Sequence, residues 1–291
     1  MHNADLHYKT TCSLGEGPVW DTERNGLWWV DIKKKKVYFL SNDSDTPQTI
    51  NLSQMVGTVV PTTDNRLLVA LENTLEVVSP ENGQAEIIYP IEPNLPQNRS
   101  NDGKCDAKGR LWLGTMSVNE EKFKGNLYSY DPQNGLRLQR EQCSISNGLC
   151  WNADNTVMYY IDTPDHNIKA FDFDLENGTI SNERVVVEIE NPDWMPDGMT
   201  IDSAGNLWVA MWGGASVQCF DPITGKTLDS VSVPALQTTC CTFGGENMST
   251  LYITSARTGM NEQQLQEYPL SGSVFKVELP VTGQAPYRME L

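Results

Sequence analysis

Histidine is scarce in this chain. His2, His7 and His166 are the only three among 291 residues, so a zinc site built on several imidazoles is excluded by count. Basic residues are also few: 21 Lys and Arg stand against 38 Asp and Glu, a net charge of −17. A field of that sign repels phosphate backbones, so nucleic acid is not an expected partner, while a cation is compatible with it. No run of 18 apolar residues occurs, so no membrane span is expected. The first residues, Met1-His-Asn-Ala-Asp-Leu-His, lack the basic segment and apolar core of a secretory leader. Cys-x-x-Cys pairs are absent as well. The seven cysteines lie at 12, 105, 143, 150, 219, 240 and 241, several in apolar, strand-like segments. They read as reduced, buried thiols of a cytoplasmic protein, with Cys240-Cys241 packing rather than cycling between redox states. No amphipathic helix of useful length is visible, which leaves an all-β chain.

What the chain does contain is repetition. Gly198-Met-Thr-Ile-Asp-Ser-Ala-Gly-Asn-Leu-Trp-Val-Ala-Met reads as strand, tight turn, strand, and the segments starting at Gly17, Gly103 and Gly148 have the same form. Weaker copies begin at Gly57 and Cys241. The six starts are spaced 40, 46, 45, 50 and 43 residues apart, the size of a four-stranded propeller blade. Each copy is followed by a further strand and a turn, as in Lys169-Ala-Phe-Asp-Phe-Asp-Leu-Glu-Asn-Gly, where alternation of period two marks a half-buried strand. The expected architecture is a six-bladed β-propeller, one domain over residues 1–291. Trp28, Trp29, Trp112, Trp151 and Trp208 are expected to pack between blades. Trp20 and Trp212 stand nearer the polar turns and are candidates to line a pocket.

Four copies are preceded by a short polar turn: Gly15-Glu16-Gly17-Pro18, Ser100-Asn101-Asp102-Gly103, Ser146-Asn147-Gly148-Leu149 and Pro196-Asp197-Gly198-Met199. Taken singly, Asn-Gly and Asp-Gly are ordinary turn dipeptides. Glutamate is not a turn former, and the four share one phase in the repeat. In a propeller, residues in that phase converge at the channel mouth. Glu16, Asn101, Asn147 and Asp197 would then form a hard, oxygen-only, anionic site suited to Ca²⁺, Mg²⁺ or Mn²⁺, with Zn²⁺ also possible.

These residues carry a resemblance. Gly15-Glu-Gly-Pro-Val-Trp, Asn98-Arg-Ser-Asn-Asp-Gly, Ser146-Asn-Gly-Leu, Tyr159-Tyr-Ile-Asp, Pro196-Asp-Gly-Met and Cys240-Cys-Thr-Phe-Gly-Gly occur in order over residues 15–257. They resemble the signatures of the SMP-30/gluconolactonase/luciferin-regenerating-enzyme family. The resemblance implies one divalent cation on Glu16, Asn147 and Asp197, and a small sugar lactone as substrate, held through Arg99 and Asn101. Some members carry a substrate-binding acid three residues after the methionine of Gly-Thr-Met. Here that position is Asn119, followed by Glu120 and Glu121, so the sugar preference does not carry over.

Hydrolysis of an aldono-lactone needs a polarised carbonyl, an activated water and an oriented ring. Asp197 is the candidate general base, with the alternative that it serves only as a ligand. Asp102 and Asp162 could support the site or merely shape turns, and His166 reads as a surface residue. Two other functions stay open: a divalent-metal hydrolase of another ester or phosphotriester, and a calcium-responsive binding propeller. A monomer or homodimer is expected.

Overall fold

A computed structural model describes residues 1–291. The chain folds into successive antiparallel meanders. Gly15–Asp21, Gly26–Asp31, Lys36–Ser41 and Gln48–Asn51 form the first four-stranded sheet, and Val56–Pro61 through Ala85–Pro90 form the second. Asn98–Cys105 begins the third sheet and Ser146–Trp151 the fourth. The remaining strands belong to a nine-stranded sheet, which narrows to the single pair Trp212–Gln237 between its two halves. The N-terminus completes both halves. His2–Asn3 adds a parallel strand to Thr227–Ser232, and Asp5–Tyr8 pairs antiparallel with Val274–Glu278. The result is a propeller-like, all-β arrangement. The one α-helix, Glu262–Glu267, is short and holds a capping box between Asn261 and Gln264.

Apolar side chains fill the spaces between neighbouring sheets. In Leu67–Leu71, alternate residues serve different cores: Leu67, Val69 and Leu71 face the first sheet, while Leu68 and Ala70 face the third. A strand sandwiched in this way is apolar throughout, which explains runs such as Leu-Leu-Val-Ala-Leu. Trp28, Trp112 and Trp208 are buried in these cores. Each donates its indole N–H to a carboxylate, Asp21, Asp106 or Asp202, at 3.1, 2.9 and 3.0 Å. A buried donor is thereby paired rather than stranded. Trp20 departs from expectation: it stacks on Tyr252 in the core joining the last and first sheets, with ring centroids 5.3 Å apart, and lines no cavity around the polar residues. All seven cysteines are buried and unpaired. No helix is long and apolar enough to cross a membrane.

The polar segments read as turns ahead of the strands lie inside them. The first strand of each repeat shows a break in register at the same place: Glu16/Val19, Val56/Thr58, Ser100/Gly103, Ser146/Leu149, Pro196/Met199 and Thr238/Cys241. These are β-bulges, where extra residues on one strand face too few on its partner and side chains are re-aimed. Their glycines follow from crowding more than from turn chemistry. A Cβ on Gly148 would lie 2.6 Å from the Asp197 carbonyl oxygen, and one on Gly198 2.2 Å from Cys240 Sγ. Of the glycines in the four polar segments, only Gly17 has positive φ, 50°.

At the end opposite the polar residues, the C-terminal segment runs across several sheets. Gly283 bridges to Asp202, Met289 pairs with Thr62, and Arg288 forms an ion pair with buried Asp21. Met289 is fully buried in the core between the second and third sheets. Met289→Ala is therefore expected to lower unfolding free energy by about 2–4 kcal/mol in urea titration. Leu291→Ala, at an exposed terminus, should change it by less than about 0.5 kcal/mol. Equal effects of the two would show that the C-terminal segment is not part of the core.

Candidate functional site

Three of the bulges aim Asn101, Asn147 and Asp197 at one place, and Glu16 stands at the edge of a fourth. The corresponding bulges in the other two strands contain Gly57, and Thr239 with Cys240; none of these lines the cavity, so they bring it no ionisable group. Glu16, Arg99, Asn101, Asn147, Thr163 and Asp197 line a single cavity of about 250 Å³ that opens to solvent. All six are buried. That volume lies just under the range for drug-sized ligands and suits a smaller molecule.

A hydrogen-bond chain crosses the floor of this cavity. Arg99 Nη1 donates to Asn101 Oδ1 at 2.8 Å. Asn101 Nδ2 donates to the Ser146 carbonyl at 2.9 Å and to Asn147 Oδ1 at 3.0 Å. Asn147 Nδ2 donates to Thr163 Oγ1 at 2.8 Å, and Thr163 Oγ1 donates to the Pro196 carbonyl at 2.8 Å. Buried carboxylates hold two of the strands from behind. Asp31 accepts the N–H groups of Ser13 and Leu14, just before Glu16, at 2.8 and 3.2 Å. Asp162 accepts those of Ser144 and Ile145, just before Asn147, both at 2.8 Å. Each acid ends the second strand of its sheet.

The electrostatics are those of under-compensated negative charge. Burial, and then the negative charge of Asp102, push Glu16 up to about 8. Burial, then Glu16 and Asp102, hold Asp197 well above the usual carboxylate range. The Arg99 guanidinium and the Gly17 and Gly198 N–H groups pull the other way and do not prevail. Burial in turn lowers Arg99, although Glu16, Glu120 and Asp197 favour its charge. Glu16 accepts one backbone hydrogen bond, from Gly17 at 3.0 Å. No cluster of three His, Cys, Asp or Glu suited to a metal is present. The candidate ligand set is instead two carboxylates and the Asn147 amide oxygen. Such a set fits a hard divalent cation, because it is oxygen-only and carries negative charge that burial leaves costly.

Asn119, the residue chosen by spacing, is exposed and does not line the cavity. Glu120 does. The loop leaving strand Leu111–Ser117 closes with the Glu120 N–H on the Ser117 carbonyl at 3.0 Å, and Glu120 takes a left-handed backbone, φ 58°. Met116, Val118 and Glu120 all line the cavity, so Asn119 falls on the alternate side of the chain. Trp212 lines the cavity as expected. Asp102 lies on a separate chamber with Lys104, Cys150 and Cys240, closed by residues 284–287, and acts on the cavity only through its charge. His166 is partly buried and outside the cavity. Thr163 and Lys33, both lining it, carried no motif that would have singled them out.

Residues 14–257 match the family model described as SMP-30/Gluconolactonase/LRE-like region. Human regucalcin is 38% identical over 282 residues, covering 95% of this chain and 94% of the relative. A Bacillus subtilis (strain 168) protein, provisionally named a sugar lactone lactonase, is 36% identical over 284 residues, covering 98% and 97%. The crystal structure of Agrobacterium tumefaciens regucalcin, described as a calcium-binding protein, superposes with a TM-score of 0.95. It has 27% identity and covers 100% of this chain and 98% of its own.

Burial of Glu16 has a measurable signature. Its folded-state pKa lies above the ordinary value, so the folded chain holds a proton that the unfolded chain releases between about pH 4.5 and 8. Stability of cation-stripped protein should therefore fall as pH rises through that window, and Glu16→Gln should flatten the slope. Melting temperatures at pH 5, 6.5 and 8 test this; an identical slope in the variant would refute it.

Proposed function

The chain belongs to the SMP-30/gluconolactonase/LRE-like family, and from that premise we propose that it hydrolyses a sugar lactone to the aldonic acid. In this reading residues 1–291 are one six-bladed propeller domain, the nine-stranded sheet counting as two blades. One divalent cation, Ca²⁺, Mg²⁺, Mn²⁺ or Zn²⁺, is held by Glu16, Asn147 and Asp197. The observation that carries the proposal is the convergence of two under-compensated carboxylates, two oriented amides and an arginine in one cavity of small-molecule size. Seven buried, unpaired cysteines support a cytoplasmic setting.

The side chains divide the chemistry. A bound cation would supply Lewis-acid polarisation of the lactone carbonyl and charge compensation for the two carboxylates. Asp197 takes a proton from the attacking water and returns it to the ring oxygen as the acyl C–O bond breaks. Arg99 uses Nη1 within the protein, which leaves the rest of its fork to orient ring hydroxyls. Glu120, rather than Asn119, supplies the acid at the rim that contacts the sugar.

Turnover of a panel of aldono-lactones should be abolished by chelator and restored by a divalent ion. Asp197→Asn should lower kcat by at least about 100-fold while the β-rich circular dichroism is retained. Chelator-insensitive turnover would falsify the role given to the cation. Calcium binding without turnover of any lactone would favour the binding function suggested by the Agrobacterium relative.

Glu120→Gln is expected to raise KM by about 3–10-fold with kcat little changed, as for loss of one hydrogen bond to bound substrate. Asn119→Ala should change neither constant. The reverse pattern would return the role to Asn119.

A further inference from the structure

We propose that Thr163 is a positioning residue that decides which end of the Asn147 amide faces the cation. This rests on the ligand set proposed above. The two ends of an amide have nearly the same shape, but only the oxygen can bind a cation. Something must therefore hold the NH₂ end away.

The hydrogen-bond chain supplies that constraint because both its ends are chemically one-directional. Arginine can only donate. Arg99 Nη1 on Asn101 Oδ1 thus forces Asn101 Nδ2 toward Asn147. A backbone carbonyl can only accept. Thr163 has one hydroxyl proton, and it goes to the Pro196 carbonyl. Toward Asn147 the hydroxyl can then only accept, so Asn147 must present Nδ2. Turning the amide over would set its NH₂ against the Asn101 NH₂, and its oxygen against a Thr163 lone pair. Both contacts are repulsive, and these side chains are buried, so the mismatch is costly. In the orientation that remains, Asn147 Oδ1 accepts one hydrogen bond from Asn101 and keeps a second lone pair free.

Thr163 also spans two ligand-bearing strands. It ties Asn147, on strand Ser146–Trp151, to the carbonyl of Pro196, the residue before Asp197 on strand Met195–Ile201. Its neighbour Asp162 grips the chain just upstream of Asn147. One hydroxyl thereby sets the orientation of one ligand and the spacing of two.

The test is calorimetric titration of chelator-stripped protein with Mn²⁺ and with Ca²⁺. Thr163→Val keeps the shape and removes the hydroxyl; affinity should fall by about 10–100-fold, as for loss of a side chain that orients a metal ligand. Thr163→Ser restores the hydroxyl and should bind close to wild type. If Thr163→Val does not fold, Thr163→Ala replaces it with the same expected loss. Wild-type affinity in the Val or Ala variant overturns the proposal. So does equal loss in the Ser variant, which would assign the effect to the methyl group's packing. Wild type whose binding survives Thr163→Val but not Asp197→Asn leaves the cation site standing and removes only the role of Thr163. Wild type that binds neither ion overturns both.

Discussion

Crowding among the first strands of the repeats is the constraint from which the site follows. These strands run so close that a Cβ on Gly148 would meet the Asp197 carbonyl, and one on Gly57 the Asn101 carbonyl, each at 2.6 Å. Ordinary pleated pairing cannot continue there, and every one of the six strands bulges at the same level. A bulge re-aims side chains and frees backbone groups. The freed groups pair across the gap: Thr58 Oγ1 donates to the Asn101 carbonyl at 2.8 Å and Thr239 Oγ1 to the Gly15 carbonyl at 2.6 Å. Side chains that cannot point into a neighbouring sheet at this level point into the cavity instead.

That geometry concentrates charge the fold does not neutralise. Glu16 and Asp197 share one buried guanidinium, Arg99, with Asp102 adding repulsion from the chamber beyond. Buried acids without full compensation are costly, and such sites are commonly functional. The apolar cores on either side of each sheet supply the rigidity that keeps the acids close, and the C-terminal segment ties sheets together at the far end. Small polar clamps, Asp31, Asp162 and Thr163, bind backbone and amide groups beside the cavity.

Much of this was legible in the sequence because it is periodic. The repeat spacing, the all-apolar strands and the shared phase of Glu16, Asn101, Asn147 and Asp197 are one-dimensional signals that survive folding. What misled was local. Asn-Gly and Asp-Gly look like turns, yet here their glycines relieve crowding between strands, a relation between residues some 40–50 positions apart. Counting three residues from the methionine of Gly-Thr-Met leads to Asn119. Met116, Val118 and Glu120 line the cavity and Asn119 lies on the alternate side, a facing that a count from the methionine does not register. Trp20 stands beside the polar motif in sequence but packs on Tyr252 from the last sheet.

By itself the sequence determined the repeated strand pattern, the residue types at the converging positions and the predominance of oxygen-bearing side chains among them. Each of these depends on composition and spacing alone. Tertiary structure decided which groups meet: Glu120 rather than Asn119 on the cavity wall, Asn147 hydrogen-bonded through both ends of its amide, and Thr163 as the link between two strands. Those choices depend on hydrogen bonds between distant segments, whose directions exist only once the sheets have closed on one another.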